Sequence, residues 1–528
     1  MTNGSETPVL YAEQGQRYTG ARTFADVEQL SGLRTGVPVV DKKESPSSTS
    51  TTHQAHTSLS EYQDKRATSQ HSKAASIDHN NPQDWNKLRK WTATLILSGF
   101  AFLQPLTETM LAPVEKQLSE DLRITRAYDW LLCNSLILIG VGLGPLILAP
   151  LSEIYGRKPP LIGGSILFLI WNTACGASKN LEMMLAFRLL SGFGACVADA
   201  IAGGLLGDLW GAEERGKAFA IYMAAPLLGP AIGPICGAFI SEGTDWRWVF
   251  WITSIASGAV TIVAVLFLRE TYEPILQLRR TRASGKNNVD GKQTFMELMY
   301  VNLQRPFRML ATQLIVQILA TYMAILYGTM FLFLFVYPRM WTERYGQSIR
   351  IGSLNYISAA LGYIAGVNVA GYVNDWIYIK LKAHNNNVGK PEFCVPAMIL
   401  GTALVPIGLL WWGWSGDAKL HWIMPNIGCL FFTAGCYICS ECVSVYTIDT
   451  YTRYAASAVS TNLITRSIAA AFFPLFAPYM FDSLGFGIGA TVLAVGFTIV
   501  GAVAIIVLWF YGEKIRARST YCTDLNNN

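Results

Sequence analysis

The stretch Gly229-Pro230-Ala231-Ile232-Gly233-Pro234-Ile235-Cys236-Gly237 lies within an apolar run from Ala218 to Ile240. Glycine and proline both weaken a water-exposed helix, glycine through backbone entropy and proline through its missing N–H. Inside a membrane a helix keeps them, because neighbouring helices and local backbone adjustment satisfy the freed carbonyls. Gly229, Gly233 and Gly237 recur every four residues and form one smooth stripe. That is the small-xxx-small pattern through which two helices approach closely. Pro230 and Pro234 repeat beside it at the same spacing and remove two ladder donors from one side. Alone, the stretch fits any closely packed membrane helix; the rest of the chain narrows it.

Of 528 residues, 51% are hydrophobic and only 15% charged, a balance foreign to a soluble multidomain protein. Apolar runs long enough to cross a bilayer recur at 92–112, 130–150, 161–178, 183–209, 218–240, 248–268, 309–336, 351–371, 395–414, 420–446, 456–480 and 484–511. The expectation is an all-α membrane protein with twelve transmembrane helices and the lipid bilayer as its solvent. Residues 1–84 are polar, with a Ser/Thr/His-rich block that buries no core, and read as a disordered cytoplasmic tail. Eight of the ten cysteines fall within spans, where the residue behaves as a small hydrophobe. Cys436, Cys439 and Cys442 form a C-x-x-C-x-x-C run with no histidine near it, whereas metal sites usually close with four ligands, so no metal is implied.

Basic residues mark the cytoplasmic side. With the N-terminus inside, the cytoplasmic connections carry twenty-two lysines and arginines and the opposite side nine. Both termini and the long linker 269–308 are then cytoplasmic. That linker divides the spans six and six, giving an N-terminal bundle over 85–268, a C-terminal bundle over 309–511 and a short cytoplasmic tail, 512–528. Pro230 and Pro234 of span 5 are matched by Pro474 and Pro478 of span 11, so the halves echo one another. Repeated halves with a site at their interface are a transporter architecture.

Gly211-Ala-Glu-Glu-Arg-Gly216-Lys217 approaches a phosphate-binding loop, but Ala218 stands where Ser or Thr would hold magnesium, and the segment joins two spans. ATP is not implied, nor is any other cofactor, nucleic acid or enzymatic chemistry. Transport then runs on a gradient. Ionisable residues within spans are functional candidates: Glu108, Arg188, Asp199, Glu441 and Arg466, with Asp208 and Asp449 nearer the span ends. Arg188 and Asp199 are eleven residues apart, which on one helix places them about 20° apart in azimuth and about 16 Å along the axis. Both then face one cavity without touching. The bland alternatives are a structural Arg188 bonded to backbone carbonyls, a Glu441–Arg466 pair, and an Asp208–Arg215 clasp. The histidines lie in tails, loops or, for His421, at a span edge, so a proton relay uses carboxylates, Glu108 and Asp199 first.

Leu151-Ser-Glu153-Ile-Tyr-Gly156-Arg157-Lys158-Pro159, Arg188-Leu-Leu-Ser-Gly192-Phe-Gly194, the Gly229–Gly237 stretch and Asp245-Trp246-Arg247-Trp248 together resemble the major facilitator superfamily, in particular its fungal twelve-span drug:proton antiporters. The resemblance covers Pro82 to Arg518. It implies two pseudo-symmetric six-helix bundles, a gating loop of Glu153, Gly156, Arg157 and Lys158, and a second copy of that loop at Gly371 to Asp375. It implies proton coupling through Arg188, and export in place of uptake through the helix of Gly229, Pro230, Gly233, Pro234 and Gly237. Lys390-Pro391-Glu392-Phe393-Cys394 resembles a further family stretch, with Cys394 where arginine is expected. The function implied is proton-coupled efflux of a small-molecule substrate, largely hydrophobic, by a monomer in the plasma membrane, with a vacuolar or vesicular membrane as the alternative address. Uptake of a charged nutrient such as a polyamine or organic acid, and a non-transporting sensor that signals through the polar tail, are the rival readings.

Overall fold

The computed structural model describes residues 82–283, 295–451, 454–519 and 521–522. The polar tail before Pro82 lies outside them. Membrane-length apolar helices run over Lys87–Asp121, Tyr128–Tyr155, Lys158–Gly176, Leu181–Leu209, Lys217–Gly243 and Arg247–Phe267 (spans 1 to 6). Four more cover Leu314–Arg344, Ile349–His384, Pro391–Asp417 and Ile423–Thr450 (spans 7 to 10). The last apolar segment, Ala455–Ala517, is 63 residues long, about 95 Å as one helix and three times a hydrocarbon core. It turns back at Gly485, whose φ of 76° suits glycine. Asp417 accepts the N–H groups of Phe486 (3.2 Å) and Gly487 (2.7 Å) and so caps the returning helix. Residues 455–484 are span 11 and 486–517 span 12, making twelve, and no strand occurs among the described residues.

The packing partners repeat between the halves. Span 1 lies on spans 5 and 6, span 2 on span 4, and span 3 on spans 4 and 6. In the second half span 7 lies on 11 and 12, span 8 on 10, and span 9 on 10 and 12. Between the halves span 2 meets span 11 and span 5 meets span 8, each the mirror of the other under the same repeat. The chain is therefore a multi-pass helical membrane protein built of two related six-span bundles.

The glycine stripe lies against span 1. A Cβ at Gly229 would stand 2.5 Å from Pro105 Cγ and 2.9 Å from the Leu106 nitrogen; one at Gly233 would meet Leu106 O at 2.8 Å, and one at Gly237 would run into the Met110 carbonyl oxygen. Only hydrogen fits. Three prolines, Pro226, Pro230 and Pro234, sit inside the 32-residue helix Ala212–Gly243 without ending it. Outward faces carry Ile262, Leu266 and Phe267 on span 6 and Ile499, Val503 and Ile506 on span 12, all exposed and suited to lipid.

The linker departs from the loop expected over 269–308. Its described ends form helices, Glu273–Ala283 and Phe295–Thr312. The latter separates from span 7 at Gln313, whose φ/ψ of −107°/109° are extended. It packs on the end of span 2 and on span 11, where Thr461 donates to the Pro306 carbonyl at 3.1 Å. The basic and polar residues that read as loop leave it too polar to span, not too polar for a surface helix. At the chain entrance Arg89 lies 4.0 Å over the Trp85 ring, and Lys87 pairs with Glu214 at 3.1 Å. The hydrogen bond and charge of Lys87 hold the Glu214 carboxyl below the usual carboxylate range.

Candidate functional site

Spans 2 and 4 bend together near mid-membrane. Span 2 breaks at Gly144–Pro145 and span 4 at Cys196, whose Sγ occupies the place a Gly144 Cβ would take. The break separates Arg188 from Asp199, and the two do not share a cavity wall. Arg188 is fully buried and donates to the backbone carbonyls of Cys133 (2.9 Å), Asn134 (3.3 Å) and Thr107 (3.5 Å), with its guanidinium 5.6 Å from the Phe250 ring. It thus ties spans 1, 2, 4 and 6 together, the carbonyl-bound arrangement that azimuth alone left open. The free lone pairs of helix carbonyls outcompete the cavity for its five N–H donors.

Asp199, past the break, is exposed despite its mid-membrane position, with Gln104 and Tyr222 as its polar neighbours. Gln104 Nε2 donates to Glu108 Oε1 at 3.3 Å, so one amide stands between the two carboxylates. Gln104 Oε1 is buried and has no donor. Across the interface of the halves Arg466 of span 11 acts electrostatically on both Glu108 and Asp199. Arg466 Nη1 donates to Tyr327 Oη at 3.0 Å, its guanidinium lies 4.6 Å over that ring, and Tyr327 in turn bonds Ser440 Oγ at 3.2 Å. The Glu441–Arg466 pair does not form: Glu441 makes no hydrogen bond or ion pair among the described residues, because its side chain leaves span 10 about 100° round from Ser440. Two carboxylates therefore lie within electrostatic range of one cation across the interface of the halves, with no ion pair closed between them among the described residues. Such a cluster can exchange a proton and bind a polar group of a small molecule.

A second cluster lies on the face that carries Lys87. Gly156 has φ 92°, and a Cβ there would stand 2.8 Å or less from each Glu270 carboxylate oxygen. Glu270 Oε1 accepts the N–H groups of Arg157 (2.7 Å), Thr271 (3.1 Å) and Tyr272 (3.0 Å), and Oε2 that of Lys158 (3.2 Å). The carboxylate sits on the N-terminus of span 3, where the helix dipole favours it. Arg157 Nε pairs with Asp208 at 3.1 Å, Nη1 donates to Ser152 at 3.0 Å, and the guanidinium lies 4.6 Å from the Tyr272 ring. Asp208 also accepts from Thr271 at 3.3 Å, so it serves Arg157; the Arg215 side chain lies outside the described residues. Lys158 Nζ caps the Val265 carbonyl at 3.0 Å, and Glu153 is exposed.

The second half uses the same seat with opposite sign. Arg516 at the end of span 12 donates through Nη2 to both oxygens of Glu392, at 2.9 and 3.0 Å, at the start of span 9, and Lys390 pairs with Glu513 at 3.0 Å. Glu392 thus docks this loop without an arginine at Cys394. Gly371 and Asp375 are not in a loop: both lie inside the helix Ile357–His384, and Asp375 forms no ion pair among the described residues. The glycine has nothing within 4 Å of a Cβ position, so no packing breaks the helix there.

On the opposite face Arg350 Nε approaches Glu242 Oε2 to 2.6 Å, off hydrogen-bond alignment, and the Arg350 backbone N–H donates to Glu242 Oε1 at 3.2 Å. This joins spans 5 and 8 across the halves. Sequence reasoning missed Gln104 and Glu270. The signals were there: an amide one turn before Glu108, and a lone acid just past the last apolar residue of span 6.

Residues 97–474 match the family model described as Major Facilitator Superfamily. The chain is 40% identical over 453 residues to the efflux pump vrtL of Penicillium aethiopicum, covering 84% of this chain and 90% of that protein. It is 35% identical over 458 residues to the efflux pump radE of Floropilus chiversii, covering 85% of each. Among solved structures, the xylose transporter XylE from E. coli, in a partially occluded inward-open conformation, superposes with a TM-score of 0.59 at 15% identity, over 80% of this chain and 98% of that one.

Proposed function

The chain belongs to the major facilitator superfamily, and on that premise we propose that it exports small, largely hydrophobic organic compounds, secondary metabolites foremost, by proton-coupled alternating access. Its relatives vrtL and radE, both named as efflux pumps, support the outward direction. The observation that carries proton coupling is the carboxylate pair Glu108 and Asp199, with Gln104 bonded to Glu108 and neighbouring Asp199, and with Arg466 in electrostatic range of both. An ionised carboxylate there is attracted to Arg466; a protonated one is not. Loading a proton therefore frees the cation, and releasing it restores the attraction across the halves. Arg188 is a positioning residue that fixes spans 1, 2 and 4 around Glu108. The glycine stripe of span 5 keeps span 1 close enough to exclude a water path, and Arg157 with Asp208 latches the face that carries Lys87.

In this reading that face is cytoplasmic, the membrane is the plasma membrane and the monomer suffices. The test is accumulation of labelled aromatic compounds in cells overexpressing the protein, with and without a protonophore. Lower accumulation that the protonophore abolishes is the expected result, and higher accumulation refutes export. An Asp199→Asn variant, correctly localised, is expected to lose the pH dependence of efflux. Unchanged dependence would remove Asp199 from the proton path.

A further inference from the structure

The close contacts of the two halves supply a register between them. Gly229 of span 5 abuts Pro105 of span 1, as Phe473 abuts Gly328 of span 7; Gly194 of span 4 abuts Gly164 and Phe168 of span 3, as Gly435 of span 10 abuts Gly401 and Val405 of span 9. One residue before Pro105 is Gln104, and one before Gly328 is Tyr327. Five after Gly194 is Asp199, and five after Gly435 is Ser440. Seven before Gly229 is Tyr222, and seven before Phe473 is Arg466. The polar trio Gln104–Asp199–Tyr222 of the first half thus has its structural counterpart in Tyr327–Ser440–Arg466, which is one hydrogen-bonded chain. One trio carries an acid and the other a cation.

Resting on the export reading, we propose that the Tyr327–Ser440–Arg466 trio is the cargo-anchoring subsite and that the cargo is an aromatic organic acid whose carboxylate binds Arg466. An arginine at mid-membrane is costly and is normally paired. Arg466 has no carboxylate within ion-pair distance among the described residues, and a phenol is its one hydrogen-bond partner. It is half-buried, and none of its nitrogens is both buried and unsatisfied, so the remaining N–H groups open on accessible space. A planar guanidinium fork suits a carboxylate bidentately. Tyr327, Ser440 and Tyr437, three residues before Ser440 on the same helix face, are also partly accessible, and they offer an aromatic body two ring faces and a hydroxyl. A single fork of this kind is filled by one carboxylate, so one acidic group is specified. The acidic trio of the first half is left to the proton.

The experiment is binding to the purified full chain in lipid nanodiscs by calorimetry at pH 7.5. The probes are 2-naphthoic acid and 9-anthracenecarboxylic acid, each against its primary amide. The acids are expected to bind about tenfold more tightly than the amides, as a charge-assisted bidentate pair does over a neutral one. Arg466→Gln should erase that preference, Arg466→Lys should keep part of it, and Tyr327→Phe, which leaves the charge, should weaken both members of a pair alike. No preference in either pair, absence of binding included, overturns the proposal, as does a preference that survives Arg466→Gln. If the preference tracks Arg466 but proteoliposomes show no gradient-driven efflux of the acids, the export reading falls and the subsite stands.

Discussion

The contact between spans 1 and 5 gives the sharpest prediction. Adding one methyl group at Gly237 places a carbon against the Met110 carbonyl oxygen and 3.0 Å from its carbonyl carbon; at Gly229 the new carbon stands 2.5 Å from Pro105 Cγ. Ordinary contact begins at 3.4 Å, so the helices must part by about 0.9 Å at Gly229 and by more than that at Gly237. The obstacle at Gly237 is backbone and cannot rotate away. Overpacking of this kind costs about 1–3 kcal/mol, and Gly237→Ala belongs at the upper end. The control is the same change where nothing lies within 4 Å, at Gly163 of span 3 or Gly496 of span 12. There alanine relieves the entropy cost of glycine in a helix and stabilises by about 0.5–1 kcal/mol. One substitution type thus carries opposite signs at two places, separated by about 2–4 kcal/mol. Thermal unfolding of the detergent-purified variants, followed by size-exclusion fluorescence, measures the difference. If Gly237→Ala proves as stable as Gly163→Ala, the close approach of spans 1 and 5 is wrong.

Two further outcomes follow from the charged clusters. Glu270→Ala removes the acceptor of four backbone N–H groups and leaves the buried one of Arg157 unpaired, at about 1–3 kcal/mol for such a group. Glu270→Gln retains a carbonyl oxygen and should lose less in the same thermal assay; equal losses would show that charge, not acceptance, matters there. On the opposite face Glu242→Gln breaks a half-exposed ion pair worth about 0–1 kcal/mol, enough to raise the population opened on that face by up to about fivefold. Labelling of a cysteine placed at Ile240 reads that population, and an unchanged rate would show that the pair does not hold the halves together.

The twelve spans, the division into halves and the glycine stripe were legible because each is a local property. Lipid as solvent demands a continuous apolar run, and a four-residue repeat of glycine is visible without knowing which helix it meets. The mid-membrane charges could likewise be listed, since each interrupts an apolar run. What each charge faces depends on contacts between distant spans, and there only the tertiary structure decided. Azimuth on an unbroken helix put Arg188 and Asp199 on one face; the break at Cys196, set against Gly144 of span 2, sent Arg188 into the carbonyls of spans 1 and 2 and left Asp199 open. Places near the ends of consecutive spans 10 and 11 made Glu441 a natural mate for Arg466, but Tyr327 of span 7 is the group that reaches it. Asp375 carried the spelling of a loop, yet nothing packs on Gly371 to break the helix through it. Hydropathy is a property of a segment, whereas the partner of a charge is set by helix breaks and crossings that bring residues a hundred or more positions apart within 3 Å.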